Sequence, residues 1–309
     1  SYDRPARPAL RVNPSKISAE EFQRRSPWPL ESVPWCPNGF YLPADAPAGK
    51  HPWHAAGVYY LQEPSAMAAV EQMNFSLMAW AIDLCAAPGG KSTQILDKLG
   101  PDSLLIANEV VGSRIKPLGE NLERWGSDLA VITNLDVRRV ADLLPHCFDT
   151  GLVDAPCSGE GLFRRNPDAR SEWSLAHVEG SARRQQALLR SAAPLIGPGG
   201  TLTYSTCTFA PEENEHVISA FLDEHPMWSL QPIEGFAPGR TDWAETNHDL
   251  SGMARLWPHQ LEGDGHTIAR LRRSQDDPDI EPGLFEGTVP EASKESTAVF
   301  DSFCLTVIP

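Results

Sequence analysis

The chain has 309 residues, of which 41% are apolar, and a formal net charge of −15 at pH 7. This length can bury one large core or two smaller ones, while the acidic total argues against indiscriminate nucleic-acid binding. Because no apolar run approaches the roughly 18 residues of a membrane helix and no signal-peptide pattern opens the chain, we expect a cytoplasmic protein without a membrane partner.

The first 65 residues are rich in proline and aromatic residues, which is typical of short strands joined by turns. We interpret residues 1–65 as a small α+β module. The elements predicted within and just after it are strands at 10–12 and 39–42, a helix at 19–25 capped by Ser18, and a helix at 64–73 that enters the main domain.

The number and spacing of the cysteines limit which disulfides and metal sites can be expected. The six cysteines include no C-x-x-C pair and are too sparse for a disulfide framework, so we expect reduced thiols. Cys36, His51 and His54 suggest a metal site, but no fourth ligand is evident and H-P-W-H is a poor helix. A structural role is therefore favoured, and no metal is expected.

From residue 78 onward, strand-like and helix-like segments alternate, as in a mainly parallel sheet covered by helices on both faces. This pattern predicts a doubly wound domain over residues 66–273. The predicted strands are 78–84, 103–109, 129–133, 150–154, 201–205, 228–233 and 265–272. The predicted helices are 92–99, 114–125, 182–196 and 211–225, and Pro198-Gly199-Gly200 is predicted to form the turn before the strand at 201–205.

The last segment is acidic. Residues 274–301 carry eight acidic side chains against Lys294 alone, and only residues 300–308 regain a strand-like pattern. We interpret residues 274–309 as an acidic linker and the start of a missing or vestigial C-terminal domain.

The loop from Asp83 to Lys91, D-L-C-A-A-P-G-G-K, lies between a predicted buried strand and a predicted helix. Its two glycines permit close backbone approach to a ligand, and the following helix N-terminus favours negative charge. The spacing fits neither a Walker A loop nor G-x-G-x-x-G, so ATP and NAD are disfavoured. A plain tight turn remains the alternative to a nucleotide-like ligand at this strand end.

Acidic residues follow the next strands. Glu109 lies 18 residues beyond Lys91, where doubly wound folds place an acid that binds ribose hydroxyls. Asp136 and Asp154 are predicted to close the two strands after it. Each alone would be read as a surface carboxylate, but together they favour a ligand with a ribose, an amino group and a positive charge.

Two cysteines lie immediately after neighbouring predicted strands, Cys157 in D-A-P-C-S-G and Cys207 in S-T-C-T. A buried structural cysteine usually lies within a strand, so this position favours a chemical role. Cysteine-dependent hydrolysis is disfavoured because no histidine is near either thiol in sequence. We expect both thiols to open on one crevice.

The three blocks D-L-C-A-A-P-G-G-K, D-A-P-C-S-G-E-G and Y-S-T-C-T-F-A-P-E-E-N-E resemble those of the Nop/Sun family of RNA cytosine-5 methyltransferases. The resemblance extends over residues 10–272, includes R-V-N, Q-E-P-S and G-D-G-H, and is strongest to bacterial enzymes acting on small-subunit ribosomal RNA. It implies a seven-stranded Rossmann-like sheet that binds S-adenosylmethionine, and it implies that the module at residues 1–65 is of the RNA-binding type. The cofactor-binding residues so implied are Cys85, Ala86, Ala87, Pro88, Gly89, Gly90, Lys91, Glu109, Asp136 and Asp154.

The resemblance also implies the chemistry. Cys207 is expected to add to carbon 6 of cytosine and Cys157 to assist its release, while Asp154 and Lys91 stabilise the adduct at ring nitrogen 3. Because a stacked base cannot reach such a crevice, the target must be single-stranded or flipped, and phosphate contacts must offset that cost. The candidate contacts are Arg164, Arg165, Arg170, Arg183 and Arg184, with a solvated helix face as the alternative.

The substrate stays open between 16S ribosomal RNA and transfer RNA, and a non-catalytic RNA-binding assembly factor is a further alternative. A DNA methyltransferase is disfavoured because a Thr-Cys block is present and Pro-Cys-Gln is absent. Family members generally carry a further C-terminal RNA-binding domain, so this chain is interpreted as shortened or as dependent on a partner or an assembling ribosomal subunit. A monomer is expected.

Overall fold

Two β-sheets organise the structure, a computed structural model that describes residues 6–277 except for the side chains of Pro167 and Glu172. All of these residues belong to one compact unit. Nearly all of the predicted acidic linker, and the strand predicted at 300–308, lie outside the described residues. Within the described range, no helix is long and apolar enough to cross a membrane.

The smaller sheet is built from the N-terminal residues and is antiparallel, in the order β2-β3-β1-β4. Its strands are β1 (Ala9–Val12), β2 (Glu31–Ser32), β3 (Gly39–Tyr41) and β4 (Tyr59–Leu61), with helices α1 (Ala19–Arg25) and α2 (Pro52–Ala55). Ser18 Oγ accepts a hydrogen bond from the Glu21 amide at 3.2 Å, so the predicted α1 and its cap are confirmed. His51 caps α2 in the same way, and the described residues contain no metal-binding cluster.

The larger sheet has nine strands in the order β11-β12-β13-β9-β8-β5-β6-β7, with β10 also paired to β13. These strands are β5 (Trp80–Asp83), β6 (Leu104–Asn108), β7 (Ala130–Thr133), β8 (Phe148–Asp154), β9 (Ile196–Thr206), β10 (Trp228–Gln231), β11 (Ala237–Pro238), β12 (Ala254–Leu256) and β13 (His266–Arg273). Strands β5 to β9 are mutually parallel, and the others are antiparallel. The expected mainly parallel sheet is confirmed.

The expected number of seven strands is wrong by two. The free edge of β13 is shared between two short strands: β12 pairs with residues 266–268 and β10 with residues 270–273. β11 then pairs with β12 and extends the edge once more. Strands of two or three residues carry too little period-two alternation to be found from sequence.

Seven further helices connect and cover the large sheet: α3 (Pro64–Glu71), α4 (Gly90–Leu96), α5 (Ile115–Trp125), α6 (Val137–Leu143), α7 (Pro167–Glu172), α8 (Leu175–Ala192) and α9 (Glu215–Glu224). Successive residues of β5 belong to different apolar clusters. Ile82 packs in a cluster that contains residues of α6, α8 and α9, whereas Ala81 packs in a cluster that contains residues of α3, α4 and α5. Because successive strand residues point to opposite faces, the sheet is covered on both sides.

Two boundaries differ from the predictions. Ile196 begins β9 instead of ending a helix, and the predicted turn at residues 198–200 lies inside that strand, where the pairing with β8 shifts register. Gly199 has a φ of +73°, so the strand can bend without ending. The helix predicted over 211–225 is interrupted at Asn214, which separates a short 3₁₀ turn from α9.

Arg11, from the R-V-N block, links the N-terminal sheet to helix α4, which packs on the large sheet. It lies on β1 with 1% of its surface exposed, and its guanidinium donates to Gly90 O (3.2 Å) and Thr93 Oγ1 (2.6 Å) of α4. It also forms a buried ion pair with Asp97. The N-terminal sheet therefore fixes the start of the helix that follows the glycine-rich loop.

A buried ion pair supports the far side of the Cys207 loop. Arg255 and Glu215 have side chains with 0% exposure, and Arg255 also donates to Phe209 O at 3.0 Å. Breaking such a pair leaves an uncompensated buried charge, so Arg255→Met is expected to lower the free energy of unfolding by about 3–5 kcal/mol. Urea denaturation measures this, with Arg190→Met as the matched control.

Arg190 pairs with Glu224 at the surface, where the two side chains are 49% and 39% exposed. Its substitution is expected to cost less than about 1 kcal/mol. Equal losses in the two variants would show that burial of the Arg255 pair is not what stabilises this region.

Candidate functional site

The loop from Asp83 to Lys91 lies between the end of β5 and the start of α4. Asp83 is buried, and its Oδ2 accepts a hydrogen bond from Ser92 Oγ at 2.7 Å. Gly89, which precedes α4, has a φ of +109°, and a Cβ placed on Gly90 would come within 3.1 Å of the Tyr60 ring. The backbone at Gly89 therefore favours glycine, the space at Gly90 is tight for any larger residue, and the sharp turn that the loop sequence predicts is present.

A cavity of about 470 Å³ opens beside this loop. It is lined by residues that follow the four parallel strands β5, β6, β7 and β8 and by one face of α8. The lining residues used below are Cys85, Val110, Asp136 and Arg184. Ligand sites in open α/β sheets occur at this carboxyl edge of the strands.

Glu109 directly precedes Val110 of the cavity wall. It is 2% exposed, its Oε1 accepts from the Val111 amide at 2.8 Å, and its Oε2 has no hydrogen-bond partner among the described residues. Arg114 Nη1 lies 3.1 Å from that Oε2 and supplies the balancing charge. A buried carboxylate oxygen with spare acceptor capacity is suited to a hydroxyl donor.

Asp136 does not close a strand, so that prediction is wrong. β7 ends at Thr133, and Asp136 instead caps α6, accepting from the Arg138 amide at 3.0 Å. Hydrogen bonds from the Arg138 side chain and backbone hold the pKa of Asp136 below its usual value. The α6 helix was not predicted, and it nevertheless brings Asp136 to the cavity wall.

Lys91 and Asp154 form a partly buried ion pair at the carboxyl end of β8. Lys91 Nζ lies 2.7 Å from Asp154 Oδ2, and Ser205 Oγ donates to Asp154 Oδ1 at 2.7 Å. Burial alone would lower the pKa of Lys91 and raise that of Asp154. Their mutual attraction outweighs burial, so the pKa of Lys91 is raised and that of Asp154 is lowered.

The two thiols predicted to share a crevice lie together. Cys157 Sγ and Cys207 Sγ are 3.3 Å apart. The hydrogen bond to Cys207, followed by burial, raises the pKa of Cys157 well above its usual value. The charge and hydrogen bond of Asp154 are the main causes that raise the pKa of Lys91, and the charge of Cys207 adds to them.

Buried polar groups fix the loop that carries Cys157. Glu213 accepts from the Ser158 amide (3.0 Å) and from Gln185 Nε2 (2.8 Å). Burial raises the pKa of Glu213. A Cβ on Gly161 would lie 2.9 Å from Cys207 O, so the second glycine of D-A-P-C-S-G-E-G permits close contact between the two loops.

Asn214 fixes the loop that carries Cys207. Its side chain accepts from Thr206 Oγ1 at 2.7 Å and donates to Ala210 O at 2.8 Å. Sequence reasoning assigned no role to Ser205, Glu213 or Asn214. A usable signal existed for Ser205, because it lies two residues before Cys207 and hence on the same face of the strand.

The arginines predicted to contact phosphate divide into two groups. The side chain of Arg164 is 6% exposed, and it is bound to Asp264 at 2.8 Å and to Gly263 O at 2.6 Å. Its guanidinium is therefore not available to solvent, contrary to the prediction that it contacts phosphate. Arg165 is also paired with Asp264, at 36% exposure. Arg170, Arg183 and Arg184 remain exposed on α7 and α8.

The pKa of Asp83 yields a stability prediction. Burial raises it to about 7, so the folded chain binds a proton that the unfolded chain releases near pH 4. Stability is therefore present at low pH and falls as pH rises from about 4 to 7. Relative to Asp83→Asn, which cannot ionise, the natural chain should lose on the order of 4 kcal/mol across that window.

Urea denaturation at pH 4.5 and pH 8 measures this difference between the two chains. A constant difference at both pH values would mean that Asp83 ionises normally in the folded state.

Comparison with protein families gives two matches. The model described as 16S rRNA methyltransferase RsmB/F matches residues 72–272, and the N-terminal domain of 16S rRNA methyltransferase RsmF matches residues 1–64. Two curated relatives carry the name "Ribosomal RNA small subunit methyltransferase F". The protein from Erwinia tasmaniensis is 38% identical over 93% of this chain and 61% of its own length; that from Aeromonas hydrophila is 38% identical over 88% and 59%. The chain thus spans about three-fifths of their length.

Solved structures agree with the fold. A methyltransferase homologue from Pyrococcus horikoshii superimposes with a TM-score of 0.79 at 29% identity, covering 88% of each chain. The structure titled NSun6 from Pyrococcus horikoshii with SFG superimposes with a TM-score of 0.77 at 22% identity, covering 88% of this chain and 92% of that one.

Proposed function

Because this chain belongs to the 16S rRNA methyltransferase RsmB/F family, we propose that it transfers a methyl group from S-adenosylmethionine to carbon 5 of a cytosine in small-subunit ribosomal RNA. One observation supports the cytosine-5 chemistry: two thiols lie 3.3 Å apart, and Ser205, two residues before Cys207, donates a hydrogen bond to Asp154 of the Lys91–Asp154 ion pair. A ring carbon that is a poor nucleophile needs covalent activation, and a thiol pair can supply both addition and release.

The residues around the cavity fit S-adenosylmethionine. Glu109, with its unbonded buried oxygen, would accept hydrogen bonds from the ribose hydroxyls, and Asp136 would face the adenine side. The loop from Cys85 to Lys91 would enclose the methionine portion, with Asp154 at its inner end. When bound, S-adenosylmethionine supplies a methyl group on a positively charged sulfur.

Cys207 is proposed as the nucleophile. Its thiolate sulfur bonds to carbon 6 of the target cytosine, and the electron pair of the 5,6 double bond moves so that carbon 5 becomes nucleophilic. Lys91 provides the positive field that a thiolate requires. As the adduct forms, ring nitrogen 3 gains electron density and takes a proton from water. The Asp154 carboxylate, oriented by hydrogen bonds from Lys91 and Ser205, would accept a hydrogen bond from the resulting N–H.

Cys157 is proposed to assist release. After carbon 5 has gained the methyl group it still carries a proton, which must leave before the bond between carbon 6 and Cys207 breaks. Cys157 is in contact with Cys207 and would act as a base or as a proton relay. Its raised pKa favours the relay, because the thiol holds its own proton at neutral pH.

The RNA is proposed to cross the face that carries the exposed arginines of α7 and α8. Arg183 is 73% exposed, and its nearest carboxylate, on Glu179, is 3.9 Å away. Replacing Arg183 with glutamine is expected to reduce the slope of log affinity against log salt by about 1, without a change in cofactor affinity. Fluorescence titration of ribosomal RNA fragments at several salt concentrations measures the slope.

Arg190→Gln is the matched control on the same helix, since its guanidinium is already paired with Glu224. An equal change in both variants would indicate a diffuse charge effect, and no change in either would place the RNA elsewhere.

Methyl mapping tests the reaction. The chain is incubated with labelled S-adenosylmethionine and, separately, small ribosomal subunits, naked 16S RNA and transfer RNA. The proposal expects labelled 5-methylcytosine in 16S RNA. Label only in transfer RNA would overturn the substrate, and RNA binding without any label would favour a non-catalytic assembly factor.

A further inference from the structure

Two sequence blocks not used in the proposed mechanism meet beside the thiols. Q-E-P-S contributes Glu63 and Ser65 at the start of α3, and G-D-G-H contributes Gly265 and His266 at the start of β13. Glu63 accepts from the Asp264 amide at 2.7 Å and from the Ser65 hydroxyl. Ser65 Oγ in turn accepts from the Gly265 amide at 3.0 Å and lies 3.3 Å from His266 Nδ1. The result is a buried carboxylate–hydroxyl–imidazole array.

This array fixes the tautomer of His266. Its Nδ1 lies 2.7 Å from the carbonyl oxygen of Gly265, which can only accept a hydrogen bond. The Ser65 hydroxyl donates to Glu63, so it too presents an acceptor to the imidazole. Nδ1 therefore carries the proton, and Nε2 carries the lone pair in the neutral ring. No described residue forms a hydrogen bond with Nε2.

His266 lies on the same face of the sheet as Cys207. Thr267 of β13 is paired with Thr206 of β9, which places His266 opposite Cys207. Alternate residues share a face, so His266, Cys207 and Ser205 lie on the same side of the sheet, and Ser205 binds Asp154. Only 5% of His266 is exposed.

The environment of His266 favours its neutral form. Burial and the positive charge of Lys91 lower its pKa, and they outweigh the opposing charges of Asp154 and Glu63. A neutral imidazole with a free Nε2 is a hydrogen-bond acceptor. Cytosine presents an amine donor at carbon 4, whereas uracil presents a carbonyl acceptor there.

We propose that His266 determines base specificity, with Nε2 accepting a hydrogen bond from the carbon-4 amine of the target cytosine and so selecting cytosine over uracil. This inference rests on the proposed function. The Glu63–Ser65 array acts through His266 by holding the ring in the accepting tautomer.

Two substitutions separate the two ring nitrogens. His266→Asn keeps a donor near the position of Nδ1 and loses Nε2, whereas His266→Gln keeps a polar group near Nε2 and loses the Nδ1 contact. Dissociation constants are measured for two RNAs that differ only by cytosine or uracil at the mapped position. His266→Asn should lower the preference for cytosine by about tenfold or more, and His266→Gln should retain most of it. His216→Asn, an exposed histidine on α9, is the matched control.

Nitrogen-15 NMR spectroscopy of the histidines provides a readout on the unsubstituted chain. It requires neither methyl transfer nor the correct folding of a variant. With S-adenosylhomocysteine present, the His266 Nε2 resonance should have the chemical shift of an unprotonated nitrogen and should move on addition of cytidine 5′-monophosphate but not uridine 5′-monophosphate. A response to cytidine in a chain that methylates no RNA would support this inference and refute the proposed reaction. Normal methylation, with no nucleotide response and an unchanged preference in His266→Asn, would overturn the inference alone.

Discussion

Replacing Cys207 with alanine is expected to reduce methyl transfer by about 10⁴-fold or more, because no other described group can bond to carbon 6 from the same position. The substitution removes a half-buried thiol that caps no helix, so the fold should survive. Affinity for S-adenosylmethionine should remain within about threefold, since the cavity wall is formed by other residues. Single-turnover transfer of labelled methyl to 16S RNA and calorimetric cofactor titration measure the two quantities.

Cys147→Ala is the matched control for this experiment. Cys147 lies just before β8, at the opposite end of that strand from Asp154, and its Sγ donates a hydrogen bond to Pro145 O. Full activity in Cys207→Ala, or parallel losses in the two variants, would refute the assignment of the nucleophile.

Replacing Cys157 with alanine is expected to trap the reaction after addition. Without Cys157, no group would remove the proton from carbon 5, so the bond between Cys207 and carbon 6 would not break. A covalent complex of protein and RNA would then survive denaturation. Turnover should fall by about 10²- to 10⁴-fold, the range associated with loss of a positioned acid or base. Denaturing gel electrophoresis with labelled RNA detects the complex.

The double variant Cys157→Ala/Cys207→Ala is the control and should form no such complex. If Cys157→Ala binds RNA and cofactor normally but accumulates no adduct, then Cys157 does not act in release.

Motifs predicted the centre of this molecule better than its periphery. Glycine turns, strand-terminal acids and two cysteines after neighbouring strands are local signals, and parallel strands bring their carboxyl ends to one edge. The juxtaposition of Cys157 and Cys207 therefore followed from topology. The distance between the sulfurs could not be predicted in this way. It depends on how Glu213 and Asn214 hold the two loops through contacts with α8 and the 3₁₀ turn.

Contacts that the sequence pattern does not display, some distant and some local, explain where the sequence predictions were wrong or incomplete. Arg164 has the composition of a phosphate contact, but Asp264, 100 residues later, neutralises it within the fold. Asp136 was placed at a strand end because the apolar run stops there, whereas its hydrogen bond to the Arg138 amide makes it a helix cap. His266 and Glu63 are some 200 residues apart in sequence, and no periodicity predicts that such groups meet.

The most direct test of the proposed mechanism is mass spectrometry of the chain after reaction with 16S RNA that contains 5-fluorocytidine. Fluorine cannot leave carbon 5 as a proton does, so the adduct should persist. The mechanism predicts a nucleotide bonded to the peptide that contains Cys207, with the fluorinated cytosine also methylated. Attachment to Cys157, or 5-methylcytosine formed in normal RNA with no trapped peptide from the fluorinated RNA, would contradict it.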